Sequence, residues 1–230
     1  MSDRYNMPYF DCLLLGYSGA VGNELLTELI KSDKVNRIVC LGRTEPGIEH
    51  HKLVFIQSDF TQLTEQLEAF SGISRVYCCL GTTIKKAGSQ AKFRKVDYDM
   101  VVNAAVIAHQ AGVRHFSLIS AMGADSTSSI FYNRVKGETE EALKAIGFPR
   151  LSIFRPALLI GPRKEFRFGE SIAKQLSPLL DLFLLGRLKN YQSIKTNIVA
   201  KAMLLNSIKT DEGNEVILSD EIKQLAKGLG

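Results

Sequence analysis

A chain of 230 residues, 45% hydrophobic and 23% charged, has the composition of a globular protein with room for a full core, which excludes a disordered or fibrous polypeptide. Its net charge of +5 comes from basic residues scattered without a run of five, and it has no tryptophan, so nothing in the charge pattern points to nucleic acid. The opening MSDRYNMPYFD has no apolar core and the GLG ending no prenylation cysteine, so a cytoplasmic chain without a transmembrane segment is expected.

Along the chain, short runs rich in Val, Ile and Leu alternate with helical patterns. The runs are DCLLLG, RIVCLG, LVFIQ, RVYCCLG, HFSLIS, RLSIFRP and EVILS; the helical patterns are NELLTELIKS, LTEQLEAF, VDYDMVVNAAVIAHQA, FYNRVKGETEEALKAI and NIVAKAMLLNSI. Runs that are apolar throughout mark strands covered on both faces. Strand and helix in turn predict an α/β fold: a Rossmann-type doubly wound parallel sheet of about seven strands, with helices on both faces. One NAD(P)-binding domain over 1–230 is expected, with a small C-terminal substrate or lid portion from about 156. Ligands of such sheets sit at the carboxyl ends of the strands, so those positions carry the chemistry.

The first strand runs into Gly16-x-x-Gly19-x-x-Gly22 and then a helix. Gly16 permits the tight turn, Gly19 lets the backbone approach a pyrophosphate, and Gly22 lets the helix pack close to the strand. The amides of Ser18, Ala20 and Val21 would face the phosphates, aided by the helix dipole. GYSGA also resembles a hydrolase nucleophile elbow, but that elbow belongs later in its sheet with an acid and a histidine following. Cys12, Cys40, Cys78 and Cys79 show no zinc-type spacing and read as buried, reduced thiols, and no metal site is expected.

After the second strand stands Arg43, where an NAD site would carry an acid; a guanidinium suits the 2′-phosphate of NADP(H), so NAD(H) is the lesser candidate. After the third, Asp59 and Phe60 are placed to meet the adenine, with helix capping as the competing role for Asp59. After the fourth, Gly81 with Thr82 would let the chain pass close to the ribose and nicotinamide. Lys85, Lys86, Lys92, Arg94 and Lys95 follow, either attracting an acidic substrate or forming a solvated face.

The fifth strand ends at Ser120, and Tyr132 opens the next helix four positions ahead of Lys136. That spacing puts phenol and ammonium on one helix face. A free phenol titrates near pH ~10 and needs a neighbouring positive charge to exchange protons at neutral pH. Lys136 would supply it, and Ser120 would hold the substrate oxygen. Tyr191 and Lys195 repeat the spacing but follow no serine-ended strand, and read as a chance match.

Together these features are similar to the short-chain dehydrogenase/reductase superfamily. CCLGTT, KVDYDMVVNAA, HFSLISAMGAD, the Tyr-x-x-x-Lys helix and IFRP resemble its atypical group typified by the human Tat-interacting oxidoreductase-like protein. The resemblance implies a Rossmann fold, NADPH binding and a Tyr/Lys active site. It places Arg43 on the 2′-phosphate, Leu80 to Thr82 and Pro156, Leu158 and Leu159 around the nicotinamide, and Arg167 as a further cofactor or substrate contact. Ala121 replaces a second serine of the group, Thr44 a second arginine, and Asp97 stands where many of the superfamily carry a catalytic Asn.

Three functions fit the sequence. One is an NADPH-dependent oxidoreductase moving hydride between a small carbonyl or alcohol substrate and cofactor, with a Ser/Tyr/Lys relay. Another is an NADP(H)-binding regulatory or scaffold protein, with SPLLDLFLLGRL (177–188) as a surface for a protein partner or homodimer. Core is the simpler use of that run, which Pro178, Asp181 and Gly186 break well short of the ~20 residues a membrane span needs. The third is sugar-nucleotide epimerase-like chemistry, against which the small C-terminal portion argues.

Overall fold

A computed structural model describes residues 9–61, 63–161 and 192–228. Its strands are β1 (Phe10–Leu15), β2 (Val35–Gly42), β3 (Leu53–Gln57), β4 (Arg75–Cys78), β5 (His115–Ile119), β6 (Arg150–Arg155), β7 (Leu159–Ile160), β8 (Ile194–Lys195) and β9 (Gly213–Leu218). Seven of them form one parallel sheet in the order β3-β2-β1-β4-β5-β6-β9, and β7 pairs with β8 alone. The order reverses between β1 and β4, which opens a crevice at the carboxyl ends of those two strands.

The helices are α1 (Ala20–Lys31), α2 (Ile84–Ala87), α3 (Gln90–Arg94), α4 (Met100–Gln110), α5 (Phe131–Ile146), α6 (Thr196–Ile208) and α7 (Ser219–Ala226). Alternate residues of each central strand enter two cores. Leu14, Cys40 and Tyr77 pack with Leu25 of α1, Met203 of α6 and Ile222 of α7 on one face. Leu13, Val39 and Val76 pack with Ala104 of α4 and Leu143 of α5 on the other. Burial on both faces is why β1 and β2 read as unbroken apolar runs. The edge strands depart from that pattern, with Val54 of β3 and Val216 of β9 exposed.

Several local expectations are corrected. LTEQLEAF forms a 3₁₀ helix, Leu63–Phe70, kinked at Gln66, whose side-chain amide donates to the Gln57 carbonyl at the end of β3. The stretch after β4 holds α2 and α3, each capped by one hydroxyl: Thr83 accepts from the Lys86 amide and Ser89 from that of Lys92. Between α3 and α4 the helix widens into a π-helical turn, Lys95–Asp99. Cys12, Cys40 and Cys78 are buried free thiols, whereas Cys79 is only partly buried. Among the described residues no helix is long and apolar enough to cross a membrane.

At the end of the sheet away from the crevice, His115 opens β5 inside a buried polar network. Its Nε2 lies 2.8 Å from Ser152 Oγ, which also reaches Asn206 Oδ1 and Glu215 Oε1. Burial first, and then the nearby Arg150 and Arg75, push the His115 pKa down to about 3. Burial opposes ionisation of Glu215, but hydrogen bonds from Ser152, Asn206 and Arg150 outweigh it and hold its carboxyl below the ordinary range. The unfolded chain therefore binds an extra proton at His115 from the ordinary histidine range down to the native value. Stability is full above that range and falls as pH drops through it, by up to about 1.4 kcal/mol per pH unit. Urea midpoints should be flat from pH 8 to 7 and decline from 6 to 4, and His115→Gln should remove most of the decline above pH 5. An unchanged slope in that variant would show that other groups govern acid unfolding.

Candidate active site

A cleft of about 150 Å³ lies at the carboxyl ends of β1, β4, β5 and β6. Its walls are Gly19, Ala20 and Val21 after β1, Cys79 to Thr82 after β4, Ile119 to Ala121 at the end of β5, and Pro156 to Leu159 after β6. Asp97, Tyr132 and Lys136 reach it from the helices.

The glycine turn forms its phosphate-facing end. Gly16 has φ +76°, and a Cβ there would lie 2.5 Å from the Cys79 carbonyl oxygen. A Cβ on Gly22 would lie 2.2 Å from the Gly16 carbonyl oxygen and 2.9 Å from Tyr17 Cα, so Gly22 admits α1 against the turn rather than against the strand. Gly19 is the N-cap of α1; no side chain caps the helix and no acidic residue sits in its first turn. The amides at this terminus therefore offer donors with no acidic side chain in the same turn, a set that fits a pyrophosphate. Tyr17 is buried, lies against Gly42, and donates its hydroxyl to the Thr44 carbonyl, fastening the turn to the segment that carries Arg43.

The charged floor of the cleft was not visible in the sequence. Lys136 Nζ lies 2.8 Å from Asp97 Oδ1, with both side chains buried. Asp97 Oδ2 accepts from the Thr82 amide at 2.9 Å, and Thr139 Oγ1 lies 2.9 Å from the Asp97 carbonyl oxygen. Burial disfavours the Lys136 ammonium, yet Asp97 and then the Tyr132 phenol more than offset it, so its pKa lies above the ordinary lysine value. The π-helical turn brings Asp97 to this position. Its widened ring departs from α-helical phase, a deformation frequent at functional sites.

A second charge pair, buried at Glu140 and half-buried at Arg155, holds Ser120. Its Oγ donates to Glu140 Oε1 at 2.5 Å, and Arg155 donates to the same carboxylate through Nε (3.0 Å) and Nη2 (2.5 Å). Glu140 is fully buried. Tyr132, Lys136 and Glu140 follow at intervals of four along α5, so one helix face presents phenol, ammonium and carboxylate in line. The Tyr132 ring packs 5.6 Å from that of Phe93.

Residues 16–156 match the NAD(P)H-binding family. The chain is 33% identical to the protein HTATIP2 of Rattus norvegicus over 225 residues, 96% of this chain and 90% of that one. It is 34% identical to the protein fmp52, mitochondrial, of Emericella nidulans, over 91% of this chain and 92% of that one. The chain belongs to the atypical short-chain dehydrogenase/reductases. Solved structures share its fold: MoeE5 in complex with UDP-glucose and NAD superposes with a TM-score of 0.69 at 17% identity, covering 95% of this chain and 81% of that one. A UDP-glucose 4-epimerase of Thermotoga maritima with UDP-glucose gives 0.67 at 14% identity, covering 96% and 82%.

In this short-chain dehydrogenase/reductase most sequence-selected residues meet at one cleft: Gly19, Ala20, Val21, Leu80, Gly81, Thr82, Ser120, Tyr132, Lys136, Pro156, Leu158 and Leu159. Gly16 and Gly22 shape the turn behind it, and Ser18 is exposed outside its lining. Arg43 is exposed beyond the end of β2, also outside the lining. Asp59 is exposed and closes a local turn, accepting from the Thr61 amide (2.9 Å) and hydroxyl (2.6 Å); those bonds hold its carboxyl below the usual range. Phe60 has φ +67°, a strained conformation for a bulky residue, and its amide donates to Ser58 Oγ. Arg94 is engaged with Glu138 and stacks on Tyr98, which favours a structural role within the basic stretch. Arg167, the 177–188 run and Tyr191 lie outside the described residues, and Lys195 is in β8. Sequence reasoning missed Cys79 and Ile119 in the lining, and it gave no site role to Asp97, Ala121, Glu140 or Arg155. Only the regular spacing of Tyr132, Lys136 and Glu140 hinted at the last pair.

Proposed function

We propose that this chain is an NADP(H)-dependent oxidoreductase acting on a small carbonyl or alcohol substrate. One observation carries the reading: Tyr132, with Lys136 on the same helix face, shares a cleft with the uncapped amides of α1. When bound, the dinucleotide supplies or accepts the hydride. The chain's own residues handle the proton. Tyr132 Oη gives it to the developing alkoxide or takes it from an alcohol, and the Lys136 ammonium stabilises the phenolate. Asp97 keeps Lys136 in place. Ser120 has one hydroxyl proton and spends it on Glu140, so toward the cleft it acts as an acceptor. It can orient a substrate hydroxyl or the Tyr132 phenol, and donation to a carbonyl oxygen falls to Tyr132. Leu80, Ile119, Leu158 and Leu159 give the cleft apolar walls that keep water from the proton path. For the 2′-phosphate, Arg43 is the nearest suitable cation in sequence, on a segment braced by Tyr17.

The test is NADPH consumption with a panel of small aldehydes, ketones and quinones, run beside NADPH and NADH binding titrations. NADPH should bind at least about tenfold more tightly than NADH, a modest return for a charge-assisted phosphate contact. Tyr132→Phe should lower kcat/KM by about 10²–10⁴-fold, the usual scale of lost general acid–base catalysis, while NADPH affinity stays nearly unchanged. Turnover that survives the substitution overturns the reading. Tight NADPH binding with no turnover of any carbonyl would favour a binding protein instead.

A further inference from the structure

Lys136 and Asp97 form the one pair of opposite charges among the described residues that line the cleft. They are 2.8 Å apart and buried, so solvent screens them little. No side chain separates them from the loop after β4. A Cβ built on Gly81 would lie 3.4 Å from Asp97 Oδ1 and 3.8 Å from Lys136 Nζ, so the Gly81 backbone passes directly over the pair. The carboxylate is fixed from two more sides, by the Thr82 amide and by the π-helical turn beneath it.

The oxidised nicotinamide ring carries a positive charge that the reduced ring lacks. An unpaired lysine in the same cleft would oppose the oxidised form. A carboxylate on that lysine brings the local sum to zero and removes the opposition. Asparagine could keep the hydrogen bond from Thr82 but would leave the ammonium uncompensated.

We propose that Asp97 is a positioning and charge-balancing residue that sets the relative affinity of this cleft for the oxidised and reduced cofactor. The inference rests on the cofactor reading above and adds to it a determinant of redox preference. Unit charges several ångströms apart in a sheltered cleft interact strongly enough for a shift of an order of magnitude or more.

The test needs no substrate. Dissociation constants for NADP⁺ and NADPH are measured by calorimetry at one ionic strength for the wild type and Asp97→Asn. The NADP⁺ to NADPH ratio should rise about tenfold or more in the variant, equivalent to about 1.4 kcal/mol. A ratio unchanged within about twofold overturns the inference. Lys136→Gln supplies a second arm that does not depend on Asp97→Asn folding: it leaves the carboxylate in excess, so the ratio should move the opposite way, whatever happens to absolute affinity. A shift in the same direction, or none, overturns the inference as well. If the wild type binds neither form, the cofactor reading fails, and the inference falls with it.

Discussion

Lys136→Met should lower the free energy of unfolding by about 3–5 kcal/mol, the range for stripping one partner from a buried ion pair. The substitution strands Asp97 in the core with only the Thr82 amide to stabilise it. For a chain of this length the melting temperature should fall by roughly 10 °C. Turnover should disappear too, since nothing would then stabilise the Tyr132 phenolate. The informative comparison is Asp97→Asn on top of Lys136→Met. Removing the stranded charge should restore most of the stability, because a neutral pair of similar volume replaces the ion pair. It should restore none of the turnover. Thermal melts and a carbonyl assay on the single and double variants read the two effects separately. A single variant as stable as the wild type would contradict the buried pairing itself.

The second large effect lies at the glycine turn, where two alanines should fail in different ways. Gly22→Ala puts a methyl 2.2 Å from the Gly16 carbonyl oxygen, with backbone on the far side and no flexible side chain to yield. Helix α1 must then move off the turn, disturbing its packing against α6, so a loss of 3 kcal/mol or more, beyond ordinary overpacking, is expected. In Gly19→Ala the methyl would be 3.2 Å from the same oxygen, which a small adjustment relieves. That variant should unfold at nearly the wild-type urea concentration. Gly19 lines the cleft at the helix N-terminus, however, so the added methyl should lower NADPH affinity by about 10²-fold or more through loss of close approach. Equal loss of stability in both variants would mean that Gly19, too, serves packing rather than ligand approach.

How far the sequence revealed the molecule depended on the kind of interaction. Strands β1, β2, β4 and β5 were legible because burial on both faces demands runs rich in apolar residues, and those of β1, β4 and β5 close on small or polar residues at or beside the cleft. The cleft itself followed from chain order, since Gly19 and Ser120 stand just beyond strand ends and Tyr132 opens the helix that follows β5. What escaped were charges buried by distant partners. Glu140 sits in GETEE, a stretch that reads as a solvated helix face; it is buried because Arg155 comes over it from β6 and Ser120 from β5. Asp97 read as a departure from a catalytic Asn and no more, because a π-helical turn leaves no periodicity by which a short stretch betrays it. Asp59, expected to meet the adenine, also accepts from the Thr61 amide and hydroxyl through one carboxylate oxygen, a local turn that no spacing in the sequence announced.

The π-helical turn also makes chain length at Lys95–Asp99 a heritable trait in its own right. It amounts to one residue more than a regular helix of the same span requires. A deletion of one residue there would let Gln90–Gln110 close as an ordinary helix. The same deletion would turn the preceding turns by about 100° relative to those that follow. The acid would leave the lysine, and the shortened chain would gain regularity in that helix at the cost of its charge-neutral cleft. On the charge-balance proposal above, a variant of this chain with one residue removed at this place should lose its oxidised-cofactor preference with every cleft side chain still present.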